Sequence, residues 1–189
     1  MSSTLEVNIS DAFRTKDGFV RSVSIIFQTE YGYLFIDEMR KGYPDPSVTI
    51  EESHILGGKC EMNDPSPIWT GLREVLEELE YHLKSTNSIN NSVRILLDEF
   101  ENCKTFKIDT CVSLSRKLYN RFYVINLETM NNNELKDELM ELFLNWRPKN
   151  TSFKKGVTRV YFWKKDDPKP SKCTSLLKFF LDNLPPDSK

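Results

Sequence analysis

Histidine is scarce in this chain: His54 and His82 are the two among 189 residues. That scarcity argues against a zinc site built on histidines. The four cysteines, Cys60, Cys103, Cys111 and Cys173, stand far apart and form no CxxC pair. Reduced, packed thiols and a cytoplasmic setting are therefore expected. No apolar run approaches the ~20 residues that cross a bilayer, so no membrane partner is expected. The opening "MSSTLEVNISDAFRTKDG" lacks the apolar core of a secretory signal. Neither sign of charge dominates, since 26 Lys and Arg against 28 Asp and Glu leave a net charge of −2. The chain-wide basicity of a nucleic-acid binder is thus missing, although a local basic patch remains compatible with that balance.

What is present is the composition of a globular domain, 39% hydrophobic and 29% charged, on a chain long enough to bury a core. Residues 1–18 read as a polar arm and 19–189 as a single domain. "FVRSVSIIFQ" and "YLFIDEMRK" are rich in β-branched and aromatic residues and flank "EYG", which predicts a hairpin over 19–41. "GYPDPS" is a loop by its Gly and Pro content. "VTIEESHIL" predicts a short strand running into Gly57 and Gly58. After the proline-containing lead-in "NDPSPIWTG", Leu72, Val75, Leu76, Leu79 and Leu83 recur at helical spacing, which predicts a helix over 72–84. "VRILLDEFENC" favours a helix, strands are expected near 105–114 and 119–127, and Asn residues cap a helix over 131–146. "GVTRVYFWKK" predicts a late strand, and "SKCTSLLKFFLDNL" a last helix stopped by Pro185 and Pro186. This order implies an α/β sandwich with a mixed sheet.

The helix over 72–84 carries Glu74, Glu77 and Glu78, whose i, i+3, i+4 spacing sets three carboxylates on one face. Like charges so close repel unless something positive joins them. Mg²⁺ and Mn²⁺ favour oxygen ligands of this kind. Arg73 is placed to orient a carboxylate through a bidentate contact. The glycine pair upstream lets the backbone approach the helix start closely. A glutamate-rich helix can equally be a solvated face.

The stretch "GGKCEMNDPSPIWTGLREVLEELEY" resembles the Nudix box: Gly, five residues, Glu, seven residues, then Arg-Glu-aliphatic-x-Glu-Glu-x-Gly-aliphatic. Gly58 takes the first place, and Arg73, Glu74, Val75, Glu77 and Glu78 match the heart of the box in register. The preceding hairpin and "ILGGK" are similar to the family's approach to the box, so the likeness covers roughly residues 19–83. Asp64 stands where the family has Glu, one extra residue separates it from Arg73, and Glu80 and Tyr81 replace the closing Gly and aliphatic residue.

The resemblance implies a Nudix-type α/β/α sandwich that hydrolyses a nucleoside diphosphate linked to a group X. It implies Mg²⁺ or Mn²⁺ held by Glu74, Glu77 and Glu78 near Gly58, with Arg73, Glu77 and Glu78 as the catalytic set. A later carboxylate, Glu128 or Glu134, is a candidate base by position. Arg40, Lys59, Tyr119 and Arg121 are expected to meet the substrate, a nucleotide or capped RNA. Tyr43, Trp69, Phe122 and Trp163 are further candidates to stack on a base, and Lys41, Arg116 and Lys117 to hold phosphates. "SRKLYNRFYV" interleaves three basic with three aromatic residues, a composition suited to nucleic acid. A looser similarity, carried by "RSVSIIF" and "NRFYVINL", points to viral mRNA-decapping members. The alternatives for X are a dinucleotide polyphosphate, ADP-ribose and an inositol pyrophosphate. A fold-preserving binding module or complex subunit is the non-catalytic alternative.

Overall fold

Alternation in the strands fixes the architecture of the chain in its computed structural model, which describes residues 5–6, 13–42, 45–149 and 156–185. The elements run β1 (Leu5–Glu6), β2 (Phe19–Thr29), β3 (Gly32–Lys41), β4 (Thr49–His54), β5 (Gly57–Lys59), α1 (Pro67–Glu78), α2 (Ile89–Phe100), β6 (Thr105–Ser113), β7 (Leu118–Asn126), α3 (Asn133–Asn145), β8 (Gly156–Trp163) and α4 (Ser175–Asp182). Among the described residues, eight strands form one sheet in the order β1-β6-β7-β2-β3-β4, with β5 added to β2 and β8 to β3. β2 and β7 run parallel and the other named pairs antiparallel, so the sheet is mixed. Within the expected arm, Leu5–Glu6 pairs with β6 at the sheet edge.

Val23, Ile25 and Phe27 of β2 face one side and meet Leu34, Ile36, Tyr123 and Ile125. That face is covered by the apolar stripes of α1, α2 and α3, contributed by Leu72, Val75, Leu76, Val93, Leu96, Leu135 and Leu139. Ile26, Tyr33, Phe35, Phe122, Val124 and Trp163 face the other way, against Leu177, Phe180 and Leu181 of α4. The result is an α/β/α sandwich with a core on each face of the sheet.

β2 and β3 leave their turn as a pair but stay paired only at Gln28↔Tyr33 and Thr29↔Gly32. Beyond that they splay, β3 running between β4 and β8 while β5 takes the place beside β2 at Ser22–Ser24. α1 packs against β2 and β5 at this divergence. A Cβ on Gly71 would run into Ile25 and Val23, so the helix lies close on the strand.

α1 starts and stops earlier than the leucine spacing alone predicts. Ser66 caps it, its hydroxyl accepting from the Trp69 N–H at 3.3 Å, and Pro67 fills the first helical position, where no N–H is needed. At the far end Glu80 has φ 48°, Glu80 N–H donates to Glu77 O at 3.1 Å and Tyr81 N–H to Leu76 O at 2.9 Å. This paired closure is a left-handed C-terminal cap, the place usually held by glycine. Leu83 of the expected stripe is buried, but from the loop that follows. No described helix is long and apolar enough to cross a membrane. The four cysteines are free thiols.

Candidate functional site

The short strand β5 and the helix α1 hold the site between them. Val23 pairs with Gly58 and Ser24 with Gly57, which brings the glycine pair beneath the helix. A Cβ on Gly58 would collide with the Glu74 carboxylate, so glycine there makes room for that side chain. Gly57, at φ 145°, points its N–H at Glu78 and donates to Oε2 at 3.2 Å.

Arg73 organises the remaining carboxylates. Its side chain is 9% exposed. Nε and Nη2 reach the two oxygens of Asp64 at 3.2 Å each, Nη1 donates to Glu77 at 2.9 Å, and Nη2 lies 3.1 Å from Glu74. Burial works against its charge, but the hydrogen bonds it donates to Asp64 and the fields of Glu74, Asp64 and Glu77 outweigh that and raise its pKa. Asp64 also accepts from Thr70 Oγ1 at 2.8 Å and from the Glu61 N–H at 2.9 Å. Burial raises the Asp64 pKa less than the Arg73, Glu61 and Thr70 hydrogen bonds lower it. The shorter side chain and the extra loop residue are absorbed here: Asp64 turns back onto Arg73 and ties the loop to the helix.

The three glutamates are therefore unequal. Glu77 is 45% exposed and paired with Arg73. Glu74 is half-buried against Gly58, and its burial, with the nearby Glu77, raises its pKa despite Arg73. Glu78 has no cation partner among the described residues. Burial, and then the charges of Glu38, Glu74 and Glu77, push its carboxyl up to about 8, against the lowering effect of the Gly57 N–H. Glu38 was not singled out in the sequence. The signal was available, since it follows Leu34 and Ile36 at period two on the face of β3 that meets the α1 core.

Other expected site residues are placed differently. Arg40 lies on β3, paired with Glu52 at 2.6 Å. Lys59 is exposed at the end of β5. Tyr119 and Arg121 lie two apart on β7, but Arg121 is 2% exposed and grips Asp109 through Nε at 2.7 Å and Nη2 at 2.8 Å. The thiol of Cys60 is pushed up mainly by burial, and both Arg121 and Arg73 act on it electrostatically, which sets Arg121 near the box loop. Phe122 and Trp163 belong to the α4 core and are not base-stacking surfaces. Trp69 packs on the α1 core. Tyr43 lies outside the described residues. Glu128 sits near the other end of β2, bound to Lys136 at 2.6 Å and to the Glu30 N–H at 3.1 Å. Glu134 lies in the first turn of α3.

Among the described residues, no three His, Cys, Asp or Glu side chains stand together as a ready-made metal site. The donor chemistry nevertheless suits a hard divalent cation: oxygen ligands from Glu74, Glu77 and Glu78 beside one arginine, with Glu38 close behind. No protein-family model matches this chain, and no curated protein matches it.

Proposed function

We propose that the chain is a metal-dependent pyrophosphohydrolase of Nudix type, acting on a nucleoside diphosphate linked to a group X. The observation that carries the reading is Glu78, a partly buried carboxyl tied to the Gly57 N–H, without a cation partner among the described residues, and within the field of Glu38, Glu74 and Glu77. Such a placement costs stability, and strained or desolvated ionisable groups gather where chemistry is done.

Glu74, Glu77 and Glu78 are the residues that would hold Mg²⁺ or Mn²⁺, with the Gly58 backbone alongside. When bound, the cation neutralises phosphate oxygens and acidifies water. The chain's own residues do the positioning. The Gly57 N–H fixes one oxygen of Glu78, and Gly58 leaves the space into which Glu74 folds. Arg73 holds Glu74 and Glu77 on one side and the Asp64 loop on the other. With its pKa near 8, Glu78 keeps its proton at neutral pH until a positive charge arrives, so cation binding should release a proton there.

One observation favours a non-catalytic reading: Arg73 already satisfies Glu74 and Glu77, which is what a closed structural salt-bridge network does. A hydrolysis panel with Mg²⁺ and Mn²⁺ decides. It would contain capped RNA, a diadenosine polyphosphate, ADP-ribose, nucleoside triphosphates and an inositol pyrophosphate. Metal-dependent cleavage by the wild type, lost in Glu78→Gln and Glu77→Gln, supports the hydrolase. Cleavage that survives both substitutions would move the chemistry elsewhere, and no cleavage at all would favour the binding module.

A further inference from the structure

β4 keeps an open edge. Alternate residues of an antiparallel strand bond to the same neighbour. The Gly42 N–H donates to Val48 O at 2.7 Å, so Val48, Ile50, Glu52 and His54 are the residues bonded to β3. Thr49, Glu51 and Ser53 turn their backbone N–H and C=O groups the other way. Ser53 finds partners there: its N–H donates to Lys172 O at 2.9 Å, and its C=O accepts from the Thr174 N–H at 3.0 Å. The segment 164–174 bridges to the edge at Ser53↔Cys173. Upstream it carries Pro168 and Pro170, which have no N–H, and turns toward β8, where the Trp163 indole N–H donates to Pro168 O at 3.1 Å. The outward backbone groups of Thr49 and Glu51, both exposed residues, have no partner among the described residues.

A cleft of about 760 Å³ opens along these groups. On β3 and β8 it is lined by residues of one face, Asp37, Arg159 and Tyr161, but on β4 by every residue from 48 to 53. It therefore runs over the sheet face and round the free edge. That face is the one α4 covers further along, since Asp37 follows Tyr33 and Phe35 at period two, and Glu38 points to the opposite side. Most of its charges are matched: Arg159 holds Asp37 at 2.6 Å and Arg40 holds Glu52 at 2.6 Å. Lys172 stands at the Ser53 end. Glu51 accepts from Thr158 Oγ1 at 2.6 Å, but no described cation pairs with it. Val48, one of the large apolar residues left open, is 50% exposed.

We infer that the β4 edge takes up an extended peptide of a partner protein, added as a strand at Thr49 and Glu51. A Lys or Arg of the peptide lies opposite Glu51, and an apolar residue next to it lies beside Ile50 and Val48. Main-chain bonds give such an added strand its hold, and alternate side chains give it specificity. An open edge is a template for this pairing. A second copy of this chain is the wrong shape for it. Pairing β4 with β4 about Ile50 would bring the second copy's Ser47 opposite Ser53, where Cys173 already stands. A peptide can end there. Peptide uptake uses no residue of the glutamate cluster, so it stands or falls without the hydrolase reading.

The test follows the backbone amides of the isotope-labelled chain by NMR while a capped peptide of alternating Lys and Val is added. The Thr49 and Glu51 amides should exchange rapidly with solvent in the free chain, then shift saturably and become protected as the peptide binds. A counterpart of alternating Glu and Val should bind about threefold or more weakly, the scale of one cross-strand charge pair. Glu51→Lys should reverse that preference. Glu51→Pro removes an outward N–H and spares the bonds to β3, a place where an edge strand tolerates proline. It should abolish the protection at Thr49, and a melting temperature near that of wild type would show that it is folded. No saturable shift with either peptide at millimolar concentration would overturn the inference. So would equal binding of the two peptides, or binding that survives Glu51→Pro. Protection at Thr49 and Glu51 that rises with protein concentration alone would assign the edge to a second copy and also overturn it.

Discussion

The backbone N–H of Gly57 donates to Oε2 of Glu78 at 3.2 Å across the join between β5 and α1. That bond is one hydrogen-bond donor set against burial and the negative charges of Glu38, Glu74 and Glu77. It holds the carboxyl in place without making its ionisation easy, so Glu78 should make the metal-free protein less stable in its ionised form.

The pH dependence follows from the sign of that shift. The folded pKa of about 8 lies above the ordinary 4.5, so the folded state binds the proton more tightly than the unfolded one. Stability linked to Glu78 is complete below pH 4.5 and is lost as pH rises through 8, by at most about 5 kcal/mol. Glu78→Gln should therefore melt higher than wild type at pH 8 without metal, and the gap should narrow at pH 5. Differential scanning calorimetry at the two pH values checks this.

Arg73 should be the least replaceable residue of the loop and helix. Its removal leaves Asp64, 5% exposed, without a cation and frees Glu74 and Glu77 to repel. Arg73→Ala should cost about 3–5 kcal/mol in urea unfolding, the scale for breaking a buried pair from one side. Arg73→Lys keeps the charge but cannot span both Asp64 oxygens, and should recover only part of that loss. A variant as stable as wild type would show that the Asp64 loop is held by something else.

Glu80→Gly should stabilise the chain. Glu80 has φ 48° at the end of α1, where a side chain costs about 1 kcal/mol relative to glycine. Its exposed contact with Lys149, 3.4 Å away, offsets little. Any hydrolysis should be retained, because Glu80 lies outside the carboxylate cluster. A rise in melting temperature with unchanged turnover is the expected pair of results. A drop in turnover would place Glu80 in the site.

His54 gives a second pH signature. Burial, and then the charge of Arg40, lower its pKa to about 4, while Glu52 acts in the opposite sense. The unfolded chain then takes up a proton at a higher pH than the folded one. Stability should fall as pH drops from 6.5 towards 4, by at most about 3 kcal/mol. His54→Gln should flatten that part of the stability curve. An unchanged slope would assign the acid sensitivity to other groups.

The sheet and the box helix were legible in the sequence because alternation and helical spacing survive in it. The helix start at Ser66-Pro67 lies ahead of the leucine stripe and was not legible in it. The helix end was not legible either, since Glu80 gives no sign that it will take a glycine's conformation. "SRKLYNRFYV" misled for a physical reason: β7 lies inside the sheet, between β6 and β2, and helices pack on both faces of its centre. Arg121 and Phe122 are thus packed inside, and the basic character that reaches solvent belongs to the turn before them. Composition marks a strand, but whether that strand is central depends on partners far away in the chain.

The most direct measurement is a Mn²⁺ titration followed by melting temperature at pH 8, on wild type and Glu78→Gln. If the glutamates hold a cation, the wild-type chain should gain stability with added metal, about 2.7 kcal/mol at a hundredfold excess over Kd. The variant should gain much less. A wild-type melting temperature that does not move, or an equal rise in both proteins, would contradict the assignment of Glu78 to a metal-dependent site.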